Sequence, residues 1–312
     1  MESIIKVDQL EKAYGDKKVV RGINFEVKKG EILCFLGPNG AGKSTTINIL
    51  CGILGYDSGV IKYKDKDVKR CLMNFKKHMG VVPQELAIYE DLNAEQNVRF
   101  FASLYGLKGR ELENKTSKAL AFVGLSEKRK DKAKTFSGGM KRRLNIACAI
   151  AHDPELLIMD EPTVGIDPQS RNHILNSIKK LSKSGMTILY TTHYMEEVEE
   201  ISTRILIMDS GTIIAEGTKE SLKEEIFEER QFLLQVEEDE SLNMDDFYKI
   251  EGVKKVEKKA DELTITTLKN VENLDKIIAI VIDSKTKIIN LTCRMASLEN
   301  VFLRLTGKSL RD

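Results

Sequence analysis

The feature that most constrains this chain is a glycine-rich segment, GPNGAGKS, at residues 37–44. It matches the pattern GxxxxGK[ST] and lies between a continuous apolar run, Ile32–Leu36, and a run with helical spacing, Lys43–Leu50. Glycines allow several backbone N–H groups to point at one anion, and the N-terminus of the following helix adds positive potential. The segment therefore predicts a loop that binds nucleotide phosphates within an α/β fold.

The side chains of this loop and of a second strand are of the types that phosphoryl transfer requires. Lys43 provides a point charge for the β- and γ-phosphates, and the hydroxyl of Ser44 is a hard oxygen ligand for Mg²⁺. The apolar strand Leu156–Met159 ends in two carboxylates, Asp160 and Glu161. Asp160 is placed to hold Mg²⁺, and Glu161 is placed to orient or activate the attacking water.

The other apolar patterns predict two domains. Buried strands at Thr187–Tyr190 and Ile205–Met208, which alternate with helices, indicate a largely parallel α/β core with an antiparallel flank. A charged stretch at Lys219–Arg230 predicts the end of this domain, so that it spans residues 1–225. Alternating strands and a helical apolar face follow in residues 226–312, which predicts a small α+β domain of the split βαβ type.

Composition excludes some classes of protein. The 49 basic and 48 acidic residues give a net charge of +1, without the basic excess or stripe of a nucleic-acid-binding protein. The five cysteines form no CxxC pair and are predicted to be reduced, buried thiols. No signal peptide is visible, and no apolar run approaches the ~20 residues that span a bilayer. If the protein works at a membrane, we expect another chain to supply the spans.

Five further segments resemble the sequence motifs of the ATP-binding-cassette (ABC) family. The segment SGGM at residues 137–140 resembles the signature motif, preceded by Phe where the family usually has Leu. Gln84 resembles the Q-loop glutamine, and GIDP at residues 165–168 resembles the D-loop. His193 resembles the switch histidine, and Tyr14 resembles the aromatic residue that stacks on adenine. These segments occur in the order in which the family has them.

The resemblance covers about the first 225 residues. It implies a P-loop NTPase (RecA-like) ABC cassette with an antiparallel β subdomain and with a helical subdomain between Gln84 and Ser137, followed by the small C-terminal α+β domain. It also implies that two cassettes pack head to tail. ATP would then lie between the phosphate loop of one cassette and the signature motif of the other, so that the chain alone would be a poor ATPase.

The resemblance also implies roles for individual residues. Glu161, His193 and Lys43 are expected to be catalytic, with His193 holding the γ-phosphate and supporting Glu161. Ser44, Gln84 and Asp160 are expected to hold Mg²⁺. The residues expected to bind ATP are Tyr14, Gly37, Pro38, Asn39, Gly40, Ala41, Gly42, Lys43, Ser44, Thr45, Gln84, Ser137, Gly138, Gly139 and Asp167.

The same resemblance predicts an ATP-hydrolysing subunit of a membrane transporter. Its permease would be on separate chains, its cassette partner would be a second copy or a paralogue, and it would lie at the cytoplasmic face of the membrane. The segments at residues 297–307, 140–144 and 105–107 resemble bacterial exporters of drugs, antibiotics or sodium. The alternative is a soluble ABC-type ATPase without a membrane partner. That class carries a second cassette or a long coiled coil, and the sequence shows neither.

Overall fold

The computed structural model describes residues 2–226, 229–237, 242–294 and 297–307. The chain divides into two compact units, one that ends at Lys219 and one that begins at Glu220. The helix Lys219–Ile226 contains both this division and the boundary predicted at residue 225.

A six-stranded sheet, in which five neighbouring strands are parallel, is the centre of the first unit. The strands Ile32–Leu36 and Thr187–Thr192 are buried at every residue, because other elements of the unit cover both faces of the sheet. The last strand in the chain is antiparallel to its neighbour and lies at one edge. In sheet order the strands are β10 (Thr212–Gly217), β9 (Arg204–Asp209), β3 (Ile32–Leu36), β8 (Thr187–Thr192), β7 (Leu156–Asp160) and β6 (Met79–Val82).

A second, antiparallel sheet packs against the first in the same unit. The rings of Phe25 and Phe35, one from each sheet, meet edge to face with their centroids 5.0 Å apart. Their neighbours form one hydrophobic core that both sheets share. In sheet order the strands are β2 (Lys17–Lys28), β1 (Ser3–Tyr14), β4 (Ser58–Tyr63) and β5 (Lys66–Asp67).

Polar residues fix where several helices of this unit begin. Asn93 and Gln96 form a capping box at the start of α3, and Ser137 and Asp167 accept N-terminal hydrogen bonds of α5 and α6. Two of the helices, α3 and α4, lie between Gln84 and Ser137, where the helical subdomain was predicted, and α5 begins directly after that range. The helices are α1 (Lys43–Leu50), α2 (Val68–Lys77), α3 (Ala94–Leu104), α4 (Gly109–Phe122), α5 (Gly138–Ile150), α6 (Pro168–Lys183) and α7 (Met195–Ile201).

The second unit has an antiparallel sheet, with the order β12-β13-β11-β14 in the part of the chain that the structure describes. Residues such as Phe232, Ile265 and Ile277 form its core between one sheet face and helices. The βαββαβ sequence with this strand order is the predicted split βαβ arrangement. The elements are α8 (Lys219–Ile226), β11 (Glu229–Val236), α9 (Met244–Tyr248), β12 (Val253–Lys259), β13 (Glu262–Leu268), α10 (Leu274–Asp283), β14 (Ile288–Arg294) and α11 (Leu298–Thr306).

The cysteines are free, and three of them, Cys34, Cys51 and Cys148, are buried as predicted. Burial raises the pKa of Cys51 to about 12, so that this thiol stays protonated. The prediction is wrong for Cys293, which is exposed because it lies near the end of an edge strand, and Cys71 is only half-buried. Among the described residues, no helix has the length and apolar character needed to cross a membrane.

A buried ion pair joins the starts of β3 and β9. The guanidinium of Arg204 donates from Nε to Glu31 Oε2 at 3.0 Å and from Nη2 to Glu31 Oε1 at 2.7 Å. It also donates to the carbonyl oxygen of Glu26 at 2.6 Å and to the carboxylate of Glu216. Because Glu31 and Arg204 are both more than 90% buried, the loss of either partner would leave an uncompensated buried charge.

We therefore expect Glu31→Gln to lower the free energy of unfolding by about 3 kcal/mol. Urea unfolding followed by circular dichroism measures this change. Asp65→Asn is the matched control, because it breaks the exposed ion pair between Lys6 and Asp65 and should leave the midpoint unchanged. Equal shifts for the two variants would show that the buried pair contributes no more than a surface pair.

Candidate nucleotide site

The parallel strands bring three loops together at the carboxyl ends of the strands. Leu36, the last residue of β3, pairs with Thr192 of β8, and Asp160, the last residue of β7, pairs with Thr191. The loops that follow β3, β7 and β8 therefore begin side by side. They carry the glycine-rich segment and, more than a hundred residues later in the sequence, Glu161 and His193.

Glycine is required at two points of the loop between β3 and α1. A Cβ atom on Gly37 would lie 2.2 Å from the carbonyl oxygen of Met208, so the backbone leaves no room for a side chain. Gly42 has φ +106°, and a Cβ atom there would lie 2.8 Å from the carbonyl oxygen of Val19. Of the other residues expected in this loop, Asn39 and Gly40 are exposed, Ala41 is buried, and Pro38 and Thr45 are half-buried.

The ammonium group of Lys43 is buried inside this loop. Nζ donates to the carbonyl oxygens of Gly37 at 2.7 Å and Pro38 at 3.1 Å, and it lies 3.5 Å from Glu161 Oε1. Burial lowers the pKa of Lys43, and the nearby carboxylate of Glu161 opposes that shift. The loop thus presents a cation whose position its own backbone fixes.

Two oxygen groups face each other at the end of β7. Ser44 Oγ, in the first turn of α1, donates to Asp160 Oδ1 at 3.3 Å, and Thr191 Oγ1 donates to the same oxygen at 2.5 Å. Asp160 is 6% exposed. A serine hydroxyl beside a carboxylate is an oxygen donor pair of the kind that Mg²⁺ prefers, so these residues fit the expected ion.

Glu161 is held in an unusual backbone conformation. Its φ is +44°, in the left-handed region that non-glycine residues seldom adopt. Its N–H donates to the backbone oxygen of Thr191 at 3.1 Å and to the hydroxyl of the same residue at 3.0 Å. The side chain then lies between two partners, with Oε2 3.3 Å from His193 Nδ1 and Oε1 3.5 Å from Lys43 Nζ.

The signature segment lies at the start of α5. Ser137 and Gly138 are exposed, whereas Gly139 packs against the next helix: a Cβ atom on Gly139 would lie 2.1 Å from Ser170 Oγ. Asp167 caps that helix by accepting from the N–H of Ser170 at 2.9 Å. Hydrogen bonds from the backbone and the side chain of Ser170 lower the pKa of Asp167. The predicted signature and D-loop residues therefore lie together.

Tyr14 and Gln84, which were also expected to bind the nucleotide, lie outside this network of hydrogen bonds and ion pairs. Among the described residues, no hydrogen bond joins the side chain of Tyr14 or Gln84 to the cluster of Lys43, Asp160 and Glu161. Tyr14 is 53% exposed at the end of β1, and Gln84 is exposed after β6. The exposed ring is available for stacking.

The structure adds Thr191 and Arg142, which had been given no role from the sequence. Arg142 is 4% exposed on α5 and donates to the backbone oxygens of Pro83 at 2.7 Å and Gln84 at 2.5 Å, so it ties the Gln84 loop to the signature helix. The sequence offered no local signal for Arg142, which stands between Lys141 and Arg143. Thr191 could have been found as a hydroxyl residue near the end of a buried strand, and in the sheet it pairs directly with Asp160.

Known proteins are similar to this chain over nearly its whole length. Residues 20–164 match the sequence profile of the ABC transporter family. The linearmycin resistance ATP-binding protein LnrL of Bacillus subtilis is 43% identical over 99% of this chain and 100% of its own length. The Nod factor export ATP-binding protein I of Paraburkholderia xenovorans is 35% identical over 100% of this chain and 99% of its own.

A solved structure shares the fold of the first unit. It is the ADP conformation of MJ1267, an ATP-binding cassette of an ABC transporter, which is 26% identical with a TM-score of 0.65. The match covers 71% of this chain and 93% of the MJ1267 chain. Sequence, fold and phosphate loop agree, and the chain therefore belongs to the ABC transporter family as an ATP-binding and ATP-hydrolysing subunit.

Proposed function

We propose that this subunit powers the export of a drug or antibiotic through a permease on separate chains at the cytoplasmic face of the membrane. The observation that carries the proposal is the similarity to a linearmycin resistance protein, which extends over 99% of this chain and therefore includes the second unit. The similarity to a Nod factor export protein supports outward transport.

In the proposed reaction, the chain's own residues hold the phosphates and the water. The backbone N–H groups of residues 39–44 surround the phosphates, and Lys43 moves from its carbonyl partners to the β- and γ-phosphate oxygens. The Glu161 carboxylate orients the water that attacks the γ-phosphorus, and His193 contacts both Glu161 and the γ-phosphate. The contact of 3.3 Å between His193 and Glu161 supports this pairing.

Ser44 and Asp160 would hold Mg²⁺, with Gln84 as a third oxygen donor from its loop. The 3.3 Å contact between Ser44 and Asp160 supports the first two assignments. When bound, Mg²⁺ supplies a Lewis acid that neutralises charge on the phosphates. Tyr14 stacks on the adenine, for which its exposed ring is suited.

A second cassette, either another copy or a paralogue, completes the site. Ser137 and Gly138 are exposed at the N-terminus of α5, a 13-residue helix whose dipole favours an anion there. We propose that Ser137, Gly138 and Gly139 contact the γ-phosphate held by the partner cassette, while Asp167 lies at the interface. ATP binding would then close the pair, and hydrolysis would open it.

An apolar patch on the helical subdomain suits a membrane partner. We define the α3 patch as Tyr89, Phe100 and Leu104, which are 49%, 39% and 67% exposed. Phe100 and Leu104 lie one turn apart on α3, and the rings of Tyr89 and Phe100 meet with their centroids 5.0 Å apart. Exposed apolar residues that cluster in this way indicate a contact surface for another protein.

Two variants separate nucleotide binding from hydrolysis. We expect Lys43→Ala to weaken ATP binding about tenfold or more, because a charge-assisted contact with the phosphates is lost. Glu161→Gln should keep ATP affinity, lower kcat by at least about a hundredfold and accumulate an ATP-bound dimer. Fluorescent-nucleotide titration, phosphate release and size-exclusion chromatography measure these effects.

Glu155→Gln is the matched control, because it changes a glutamate at the opposite end of β7, where Glu155 pairs with Lys64. Its kcat should equal that of the wild type. Unchanged ATP affinity in Lys43→Ala would contradict the phosphate-loop assignment, and wild-type turnover in Glu161→Gln would contradict the assignment of the base.

We expect a charged substitution in the α3 patch to abolish binding of the membrane partner. A tagged chain extracted from native membranes in mild detergent should co-purify with a polytopic protein in stoichiometric amount. Leu104→Glu should abolish that co-purification while ATP affinity is retained, because an exposed charge replaces an apolar contact. The control is Met73→Glu, which is 72% exposed on α2, and it should retain the partner. Recovery of the wild type without any membrane protein would favour the soluble ATPase.

Export itself is tested in cells. A strain that produces this chain together with its permease should tolerate more of at least one compound in a panel of antibiotics than a strain with Glu161→Gln. The reason is that the variant binds ATP but does not complete the cycle. Accumulation of the identified compound, measured by mass spectrometry, should be higher in the variant strain. Equal tolerance to every compound, with the partner present, would exclude antibiotic export.

A further inference from the structure

A fully buried carboxylate lies behind the loop that carries His193. Glu197, in the first turn of α7, is 0% exposed. It accepts three hydroxyl hydrogen bonds: from Thr163 to Oε1 at 2.5 Å, and from Tyr190 at 2.8 Å and Thr192 at 2.9 Å to Oε2. A buried carboxylate is costly unless it is hydrogen-bonded, so such a cluster fixes its donors in place.

One of the three donors controls the loop of His193. The hydroxyl of Thr192 donates to Glu197 and accepts from the N–H of Tyr194 at 3.0 Å. Thr192 and Tyr194 are the immediate neighbours of His193 on either side. The carboxylate therefore fixes, through one hydroxyl group, the side chain of the residue before His193 and the peptide group after it.

A second donor connects the same carboxylate to the segment of Glu161. Thr163 lies two residues after Glu161, and its backbone oxygen accepts from the N–H of Ile166, in the turn that leads to Asp167. Oε1 of Glu197 thus holds one end of the segment that contains the proposed base. The two oxygens of one carboxylate face the two loops whose side chains meet in the contact between Glu161 and His193.

A cation completes the arrangement. Nε of Arg171, on α6, lies 3.6 Å from Glu197 Oε1, and its guanidinium lies 4.8 Å from the centre of the Tyr194 ring. The Tyr194 ring in turn lies 4.2 Å from the His193 ring. Arg171 therefore places a positive charge beside the buried carboxylate and packs against the ring that follows His193.

We propose that Glu197 is a positioning residue that sets His193 against Glu161, acting through Thr192 and Thr163 without touching the nucleotide. The inference rests on the proposed roles of His193 and Glu161. It predicts that loss of this carboxylate slows the chemical step and leaves ATP binding intact, because the phosphate loop belongs to a different part of the site. A misplacement of about 1 Å in such a contact can cost about a hundredfold in rate.

The test is a double-mutant cycle with the full-length chain and saturating Mg·ATP. Glu197→Gln keeps the size of the side chain but replaces one acceptor oxygen by an NH₂ group, which cannot accept the hydroxyl bonds. We expect kcat to fall about tenfold or more, and KM for ATP to change by no more than about twofold. In a His193→Ala background, the same substitution should lower kcat by less than about twofold, because it acts through a side chain that is already absent.

Glu31→Gln is the control for general destabilisation. It also removes a buried, paired carboxylate, but at the opposite end of the sheet, and kcat per folded molecule should equal that of the wild type. Folded protein is quantified by circular dichroism in every variant. If Glu197→Gln does not fold, Thr192→Val removes the hydroxyl link alone and should show the same dependence on His193. Its matched control is Thr187→Val, at the other end of β8.

The outcomes separate the two claims. If His193→Ala hydrolyses ATP at the wild-type rate, the proposed role of His193 fails, and the inference fails with it. If His193→Ala is slow and Glu197→Gln lowers kcat by the same factor in both backgrounds, the role of His193 stands and the inference alone is overturned. Wild-type kcat in both Glu197→Gln and Thr192→Val would also overturn it.

Discussion

The alignment of the parallel strands β3, β7 and β8 is the constraint on which the rest of the structure depends. Backbone pairing places Leu36, Asp160 and Thr192 at one edge of the sheet, so three distant loops start within reach of one another. Each strand is buried on both faces, and the hydrophobic effect that holds the sheet also holds that edge. The polar site is thus built at the ends of fully buried strands, which are expected to open only with the whole unit.

Charge is handled differently at the two ends of this sheet. At the end where the strands begin, Glu31 and Arg204 neutralise each other in a bidentate pair. At the end where they finish, Lys43 is held by backbone carbonyls and stands 3.5 Å from Glu161, which is itself shared with His193. The first arrangement is complete within the chain. The second keeps a cation and a carboxylate close but loosely paired, as expected of groups that exchange partners when phosphates enter.

The sequence predicted those parts in which local pattern and chemistry coincide. The helix at Lys43–Leu50 and the strands at Ile32–Leu36 and Leu156–Asp160 follow from apolar runs next to glycine and acidic residues, and the structure has them within one residue. The βαββαβ order of the second unit also follows from alternation and helical spacing. The structure contains the contact of His193 with Glu161, and the roles of those residues remain proposals.

Other parts could not be predicted because they depend on long-range pairing. Glu197 looks like any glutamate of an acidic helix, since Glu196, Glu199 and Glu200 stand beside it. Only the packing of α7 against β8 buries it among hydroxyl groups. Arg142 likewise follows Lys141 and precedes Arg143, and nothing local separates it from a solvated cation. Its bonds to Pro83 and Gln84 join residues that lie nearly sixty positions apart in the chain.

The left-handed backbone of Glu161 sets stability against turnover at a single position. A residue with a side chain gives up about 1 kcal/mol in that conformation, which glycine would not. A glycine here would relax the loop and also remove an acidic group from beside His193. A selection for thermal stability alone would therefore favour replacement of the very residue on which hydrolysis is proposed to depend. The strained backbone is thus the conformational cost of holding an acidic group between Lys43 and His193.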